Sequence, residues 1–432
     1  MRIGASAFIR SHSVFASSIM KIVFLQDDFP PDSFGGAGIS TYDLAVAMEQ
    51  KGHEVFVITT CRSKGDAGKF ESDGLTVFKI TVNYSHRLRS YKSLYNRQAI
   101  FQLEELLQKI RPDIVHINNI HSYLSYYSVK LSKRYAGKVV FTARDTMSVT
   151  YGKLCTKRYL EDLNDKVYWY DNLKQAKKGW NPLRNMIIRS CLRSADERVA
   201  ISKTLRHALV QNGIDNVKVV HNGIDPSGWS TDNGQLAAFI ARYDLQGKKV
   251  LLFSGRLSGQ KGGEQAIRAL QKISVQLPNT ILLVAGIVDE YAKIMQKLAG
   301  NLGVDGSVVF TGWLERKDIK LAYQAADIVL MPSLYLDAFG RVNIEAMAAK
   351  KPVIGTKYGG TKEIVEDGQT GYIVDPRDSE EIAVKAVELL ENEGKAREFG
   401  ENGYRRVLSH FNLADKAEEY ITLYKEPPAK TT

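Results

Sequence analysis

Short β-branched apolar runs alternate with longer stretches of helical periodicity along almost the whole chain, and few folds accept that pattern. It asks for repeated βα units wound about parallel sheets. The first series of strands is read at "KIVFL" from Lys21, "EVFVITT" from Glu54, "LTVFKI" from Leu75, "DIVHI" from Asp113, "KVVFTA" from Lys138 and "ERVAIS" from Glu197. A second series follows at "KVLLFSG" from Lys249, "TILLVAG" from Thr280, "SVVFTG" from Ser307, "DIVLMPS" from Asp327, "PVIGT" from Pro352 and "GYIV" from Gly371. Between them "HNGIDPSGWSTDNG" from His221 concentrates Asn, Gly, Pro and Ser and reads as a linker. A chain of 432 residues also exceeds what one core organises. The expected fold is therefore α/β, with two doubly wound halves.

Four segments are expected: a loose or mis-assigned extension over 1–19, a first domain over 20–222, a second over 223–412, and a closing helix over 413–432. That helix has apolar spacing at Leu413, Ala417, Tyr420 and Leu423.

Apolar residues at 44% and charged residues at 25% give an ordinary globular balance. No run approaches the roughly 20 apolar residues of a membrane span. The net charge of +11 points to an anionic partner. Cys61, Cys155 and Cys191 are dispersed and odd in number, against a metal knuckle or disulfide framework and in keeping with a reducing cytoplasm. Zinc-finger, RNP and basic-zipper patterns are missing, so nucleic acid is not the expected partner.

Ligands of doubly wound sheets sit beyond the carboxyl ends of the strands. After the first strand, Gly35, Gly36 and Gly38 precede a helix; they form either an anion-binding helix start or a plain tight turn. After the first strand of the second half, "SGRLSGQKGG" puts Arg256 and Lys261 on one loop, as a diphosphate clamp or as two solvated cations. In "LYLDAFGRVNIEAMA", Asp337 and Glu345 flank Gly340, as a ligand cradle or as partners of the helix dipole.

Taken together, "FGGAGISTYDLAVAMEQKGHEV", "VHINNIH", "HNGID", "SGRLSGQKGG", "TGWLERKDI" and "DAFGRVNIEAM" resemble the retaining GT-B glycosyltransferases of the glycogen synthase and sucrose synthase type, in that family's order. The resemblance implies two Rossmann-like domains facing each other across a cleft. It also implies a closing helix that returns to the first domain, and hinge closure over a nucleotide-diphosphate sugar that serves as donor substrate with no tightly bound cofactor. Glu345 would accept from ribose hydroxyls and Asp337 from hydroxyls of the transferred sugar. Arg256 and Lys261 would hold the diphosphate, with Gly35, Gly36, Phe339, Gly340, Arg341 and Val342 lining the donor, so that no metal is required. His121 would stand beside the donor sugar and His116 in the strand end. The acceptor would be a glycan, a lipid-linked molecule or a small molecule, with an epimerase or phosphorylase of the same architecture as the rival reading.

Two departures from the family pattern stand out. Asp337 is one methylene shorter than the usual Glu. Arg144 stands before Asp145 where a subset carries His; it either binds an anionic acceptor or pairs with Asp145. Basic and aromatic stretches at Tyr84–Gln98 and Tyr151–Asn185 read as solvated helix faces or as a contact with an anionic membrane at its cytoplasmic face.

Overall fold

A computed structural model describes residues 19–33 and 35–427; the extension expected over 1–19 falls outside them except for Ile19. The first half supplies β1 (Lys21–Leu25), β2 (Glu54–Cys61), β3 (Gly68–Ser72), β4 (Leu75–Thr81), β5 (Ile114–Ile117), β6 (Lys138–Ala143), β7 (Glu197–Ala200) and β8 (Val217–Val219). The second supplies β9 (Lys249–Ser254), β10 (Thr280–Ala285), β11 (Val308–Gly312), β12 (Ile328–Met331), β13 (Val353–Thr356) and β14 (Gly371–Val374). Every strand read from the sequence forms. The structure adds β3 and β8, both at sheet edges, where "GKFES" and "VKV" carry too little apolar pattern to announce themselves.

The first sheet runs β3-β4-β2-β1-β5-β6-β7-β8 and the second β11-β10-β9-β12-β13-β14. Among the described residues, only the β3–β4 pair is antiparallel. Strands covered on both faces must be apolar throughout, and Ile22, Val23, Phe24 and Leu25 of β1 are indeed fully buried.

The order of winding reverses beside β1 in one sheet and beside β9 in the other. Crevices therefore open after β1 and β5, and after β9 and β12. The loops that end these four strands carry most of the candidate residues; Arg144 and Asp145 follow β6 instead.

Two chain crossings lie side by side between the halves. Ile224 N–H donates to Phe411 O at 2.8 Å and Leu413 N–H to Ile224 O at 3.0 Å. Helix Leu413–Lys425 then packs on helix Gly36–Gln50. Its Tyr424 hydroxyl meets His116 Nδ1 at 2.6 Å, while His116 Nε2 meets Thr142 Oγ1 at 2.8 Å. Burial holds His116 well below the usual imidazole range, so it is a neutral core group.

The candidate donor and acceptor sites

The loop after β9 is laid against the loop after β12 by Gly262, whose φ is +81°. A Cβ there would stand 2.0 Å from the Pro332 carbonyl oxygen, an approach only glycine permits. This seating brings Lys261 Nζ to 2.8 Å from Asp337 Oδ2. The Tyr335 hydroxyl donates to the same oxygen at 2.6 Å, and Gly340 N–H donates to Oδ1 at 3.1 Å. Burial alone would raise the Asp337 carboxyl, but Lys261 and Tyr335 pull it below the ordinary carboxylate value. Lys261 is correspondingly raised: burial opposes its charge and Asp337 more than restores it.

Gly340, with φ +77°, starts the helix Arg341–Ala348; a Cβ would lie 2.7 Å from Asn343 Nδ2. Glu345 falls on its second turn, with Oε2 accepting from the Tyr323 hydroxyl and Oε1 from Arg341 Nε, both at 2.7 Å. Arg341 also reaches into the first half, donating to Asp43 Oδ2 at 2.8 Å and to Ser40 Oγ at 3.2 Å. Arg316 holds the other Asp43 oxygen at 2.6 Å. Asp43, on the helix that Gly35 caps, is thus gripped by two arginines of the other half.

Gly36 begins that helix close to the Arg341 side chain, so the helix start faces the helix of Glu345. Arg256 is exposed and, among the described residues, forms no ion pair. Val342 is half-buried. The Phe339 ring is spent on the core, 6.0 Å from His221 and 5.9 Å from Phe411, which leaves only its backbone to a ligand. Gly340 N–H is likewise committed to Asp337 rather than free for an anion.

A cation from the first half completes this group. Lys153 Nζ lies 4.2 Å from the centre of the Tyr335 ring, and Lys261 Nζ lies 5.3 Å from the same ring. Burial and then the like charge of Lys261 push the Lys153 ammonium down to about 8. Lys153 and Lys261 thus gather around one carboxylate, Asp337, with Arg256 near enough to bear on the Lys153 charge. Sequence reasoning missed Lys153 because "YGKLC" has no periodicity and follows no strand directly. It missed Asp43 because that residue reads as one ordinary polar position of a helix.

The first half builds a second group after β5 and β6. Asp27 lies buried just beyond β1. Its carboxylate accepts N–H bonds from Ser122, Tyr123 and Leu124 at 2.7, 2.9 and 2.8 Å, which fixes the chain just after His121. Burial pushes Asp27 up to about 7 against those three bonds. Asp28 pairs with Arg62 at 2.8 Å. His121 Nδ1 lies 3.6 Å from Asp145 Oδ2, and burial lowers the imidazole below its usual value. Arg144 does not pair with Asp145. Its Nε donates to Asn118 Oδ1 at 2.9 Å and its NH1 to Asn222 Oδ1 at 2.7 Å, because the β6 end points its side chain under the linker. Asp145 instead accepts from Met147 N–H at 2.8 Å and Asn119 Nδ2 at 3.2 Å. His121, Arg144, Asp145 and Ser148 line one small recess.

The site residues therefore fall into two neighbouring sets: Lys261, Asp337, Arg341 and Glu345 with Gly36, and His121, Arg144 and Asp145. A family model for glycosyl transferases group 1 matches residues 239–406, and one for glycosyltransferase family 4 matches 34–227. The chain is 28% identical over 422 residues to an uncharacterized glycosyltransferase of Methanocaldococcus jannaschii, covering 94% of this chain and 98% of that protein. Sucrose-phosphate synthase from Thermosynechococcus elongatus superposes with a TM-score of 0.76 at 21% identity, over 94% of this chain and 98% of that one. Anabaena HepE in complex with UDP and glucose does so with a TM-score of 0.71 at 21% identity, over 94% and 99%.

Proposed function

Because this chain belongs to the group 1 glycosyl transferases and has the GT-B fold, we propose that it moves a sugar, with retention, from a UDP- or GDP-linked donor to an acceptor hydroxyl in glycan or glycolipid synthesis. The carrying observation is the Lys261–Asp337 and Arg341–Glu345 arrangement at one helix start, within reach of a first-half helix N-terminus. The bond from the anomeric carbon to the diphosphate breaks, a bond to the acceptor oxygen forms, and the acceptor proton passes to the departing phosphate oxygen. Arg256, Lys261 and Lys153 offset the charge that develops on that diphosphate, joined by the helix start at Gly35 and Gly36. These cations supply what a divalent ion would supply, so the reading calls for no metal.

Glu345 accepts from the ribose and Asp337 from the transferred sugar. Backbone at Phe339, Gly340, Arg341 and Val342 lines the donor, and His121 orients the sugar. Arg144 and Asp145 face the acceptor. UDP is the favoured nucleotide, since the HepE neighbour is complexed with it. No helix among the described residues is long and apolar enough to cross a membrane. We place the enzyme in the cytoplasm, with an exposed basic and aromatic face that touches an anionic membrane.

Thermal unfolding with a panel of nucleotide diphosphates and their sugars tests the donor reading. At one hundred times the dissociation constant, binding adds about 2.7 kcal/mol. One nucleotide should raise the melting temperature of the wild type and raise that of Glu345→Gln much less. A panel without any shift would overturn the reading.

A further inference from the structure

Three arginines stand about His121: Arg144 lines the recess, and Arg89 and Arg184 lie near enough to bear on the imidazole. Arg184 is 2% exposed and Arg144 7% exposed. Arg184 spends its bonds on the Asn185 side chain and the Met147 carbonyl, and its guanidinium lies 4.5 Å from the Tyr151 ring centre. Arg89 reaches the His121 carbonyl at 3.5 Å. Among the described residues, none of the three forms an ion pair. Burying a guanidinium without an acid is costly, and folds ordinarily supply a carboxylate to meet it. The acids within reach of the cluster are held elsewhere: Asp145 by Met147 N–H and Asn119, Asp27 by three backbone N–H groups, and Asp43 by Arg341 and Arg316.

With His121 neutral, the three guanidiniums of the cluster have, among the described residues, no acid of their own in an ion pair. A second observation points the same way. Ser148 is 3% exposed and lines the recess, and its Oγ has no hydrogen-bond partner. An orphaned buried hydroxyl beside unneutralised guanidiniums is the equipment of an oxyanion site, since Arg presents forked donors and Ser adds one more. None of Lys153, Lys261 and Arg256 lines the recess.

We infer that the acceptor of this enzyme carries a phosphate or carboxylate group, bound by Arg89, Arg144, Arg184 and Ser148 beside His121. The inference rests on the glycosyltransferase reading above and names the acceptor class for that same cleft.

The test uses full-length protein saturated with UDP, so that the donor diphosphate site is filled. Inorganic phosphate is titrated and followed by phosphorus NMR line width, in wild type, Arg89→Gln and Arg184→Gln. Broadening in wild type, with affinity for phosphate at least tenfold weaker in Arg89→Gln and UDP affinity unchanged, supports the site. Arg89 is half-exposed, which keeps that variant informative should Arg184→Gln fail to fold. In parallel, release of nucleoside diphosphate is compared for hexose phosphates against hexoses, and for hydroxy acids against their amides. Preference for the anionic member of either pair, reduced at least tenfold in kcat/KM by Arg89→Gln, is the expected result. Unbroadened phosphate, broadening unaffected by Arg89→Gln, or neutral acceptors used as well as anionic ones would overturn it. Should UDP fail to bind, the donor reading falls by itself; should UDP bind and phosphate not, only the acceptor inference falls.

Discussion

Raising the pH from 7 to 9 should weaken UDP binding by about tenfold in the wild-type enzyme and far less in Lys153→Arg. Burial and the neighbouring Lys261 push the Lys153 ammonium down to about 8, against an unfolded value near 10.5. Between those two values the folded protein has given up a proton that the unfolded chain retains, so the charged form is the disfavoured one inside the fold. A diphosphate beside Lys153 reverses that preference, and binding above pH 8 must be accompanied by proton uptake. The protonated fraction falls from about nine-tenths at pH 7 to about one-tenth at pH 9 for a group titrating near 8.

The loss has a floor, because the neutral amine still leaves Lys261 and Arg256 in place. A charge-assisted bond is worth about 1.5–3 kcal/mol, and partial exposure of Lys153 discounts it toward about 1.4 kcal/mol, which is tenfold in affinity. Lys153→Met should therefore bind UDP about tenfold more weakly at pH 7 and show little further change at pH 9. Lys261 stays charged across this range, since Asp337 raises it. Calorimetry at pH 7, 8 and 9, in buffers of different ionisation enthalpy, reads affinity and proton uptake together. Equal dissociation constants for wild type at pH 7 and 9, or an unaffected Lys153→Met, would refute the assignment.

Two other expectations concern the halves and the outer face. Asp43→Asn removes the one charge that meets both Arg341 and Arg316 across the cleft. It should lower stability by about 2 kcal/mol, less than the cost of deleting a buried partner outright because Asn still accepts a bond, and should enlarge the radius of gyration. Unchanged melting and X-ray scattering profiles would count against a latch. The exposed side chains Tyr91, Tyr95, Phe101, Trp169, Leu183 and Met186 belong to two segments that adjoin where Gly179 approaches Ser90. With Lys92, Arg97, Lys174 and Lys178 beside them, each cation near an anionic surface contributes about 1 kcal/mol. Co-sedimentation with anionic vesicles at low salt, lost at high salt, is expected; no binding at low salt would dispose of the membrane contact.

The sheets were legible because strands buried on both faces must be continuous apolar runs, and β1 or β10 can hardly be anything else. The edge strands β3 and β8 were hidden for the opposite reason, since a strand with one neighbour is free to be polar or very short. The donor loops were legible too. Arg256, Lys261, Asp337 and Glu345 follow strands directly, where chemistry in such sheets gathers. What the sequence could not convey was the pairing. Asp43 and Lys153 act across the cleft, more than one hundred residues from the groups they meet. The partner of Arg144 depends on how the linker at Asn222 folds under β6. Arg89 and Arg184 came from stretches whose charge and aromatic content fit a solvated face as well as a site, and only burial separates the two.

On the proposed donor reading, the acceptor capacity of the two carboxylates decides how a sugar nucleotide enters. An ionised carboxylate offers about four lone-pair sites. Glu345 has one donor on each oxygen, Tyr323 on one and Arg341 on the other, so each oxygen keeps one site open. Two free sites on one carboxylate match the two adjacent hydroxyls of a ribose. Asp337 is more heavily used: Lys261 and Tyr335 fill Oδ2, and Gly340 N–H takes half of Oδ1. One site remains, enough for one sugar hydroxyl. Neither carboxylate has to release a protein partner to take its share. Arg341 can therefore hold Glu345 and Asp43 together while the donor binds, and the hydrogen bonds to the nucleotide add to the bridge between the halves instead of replacing it.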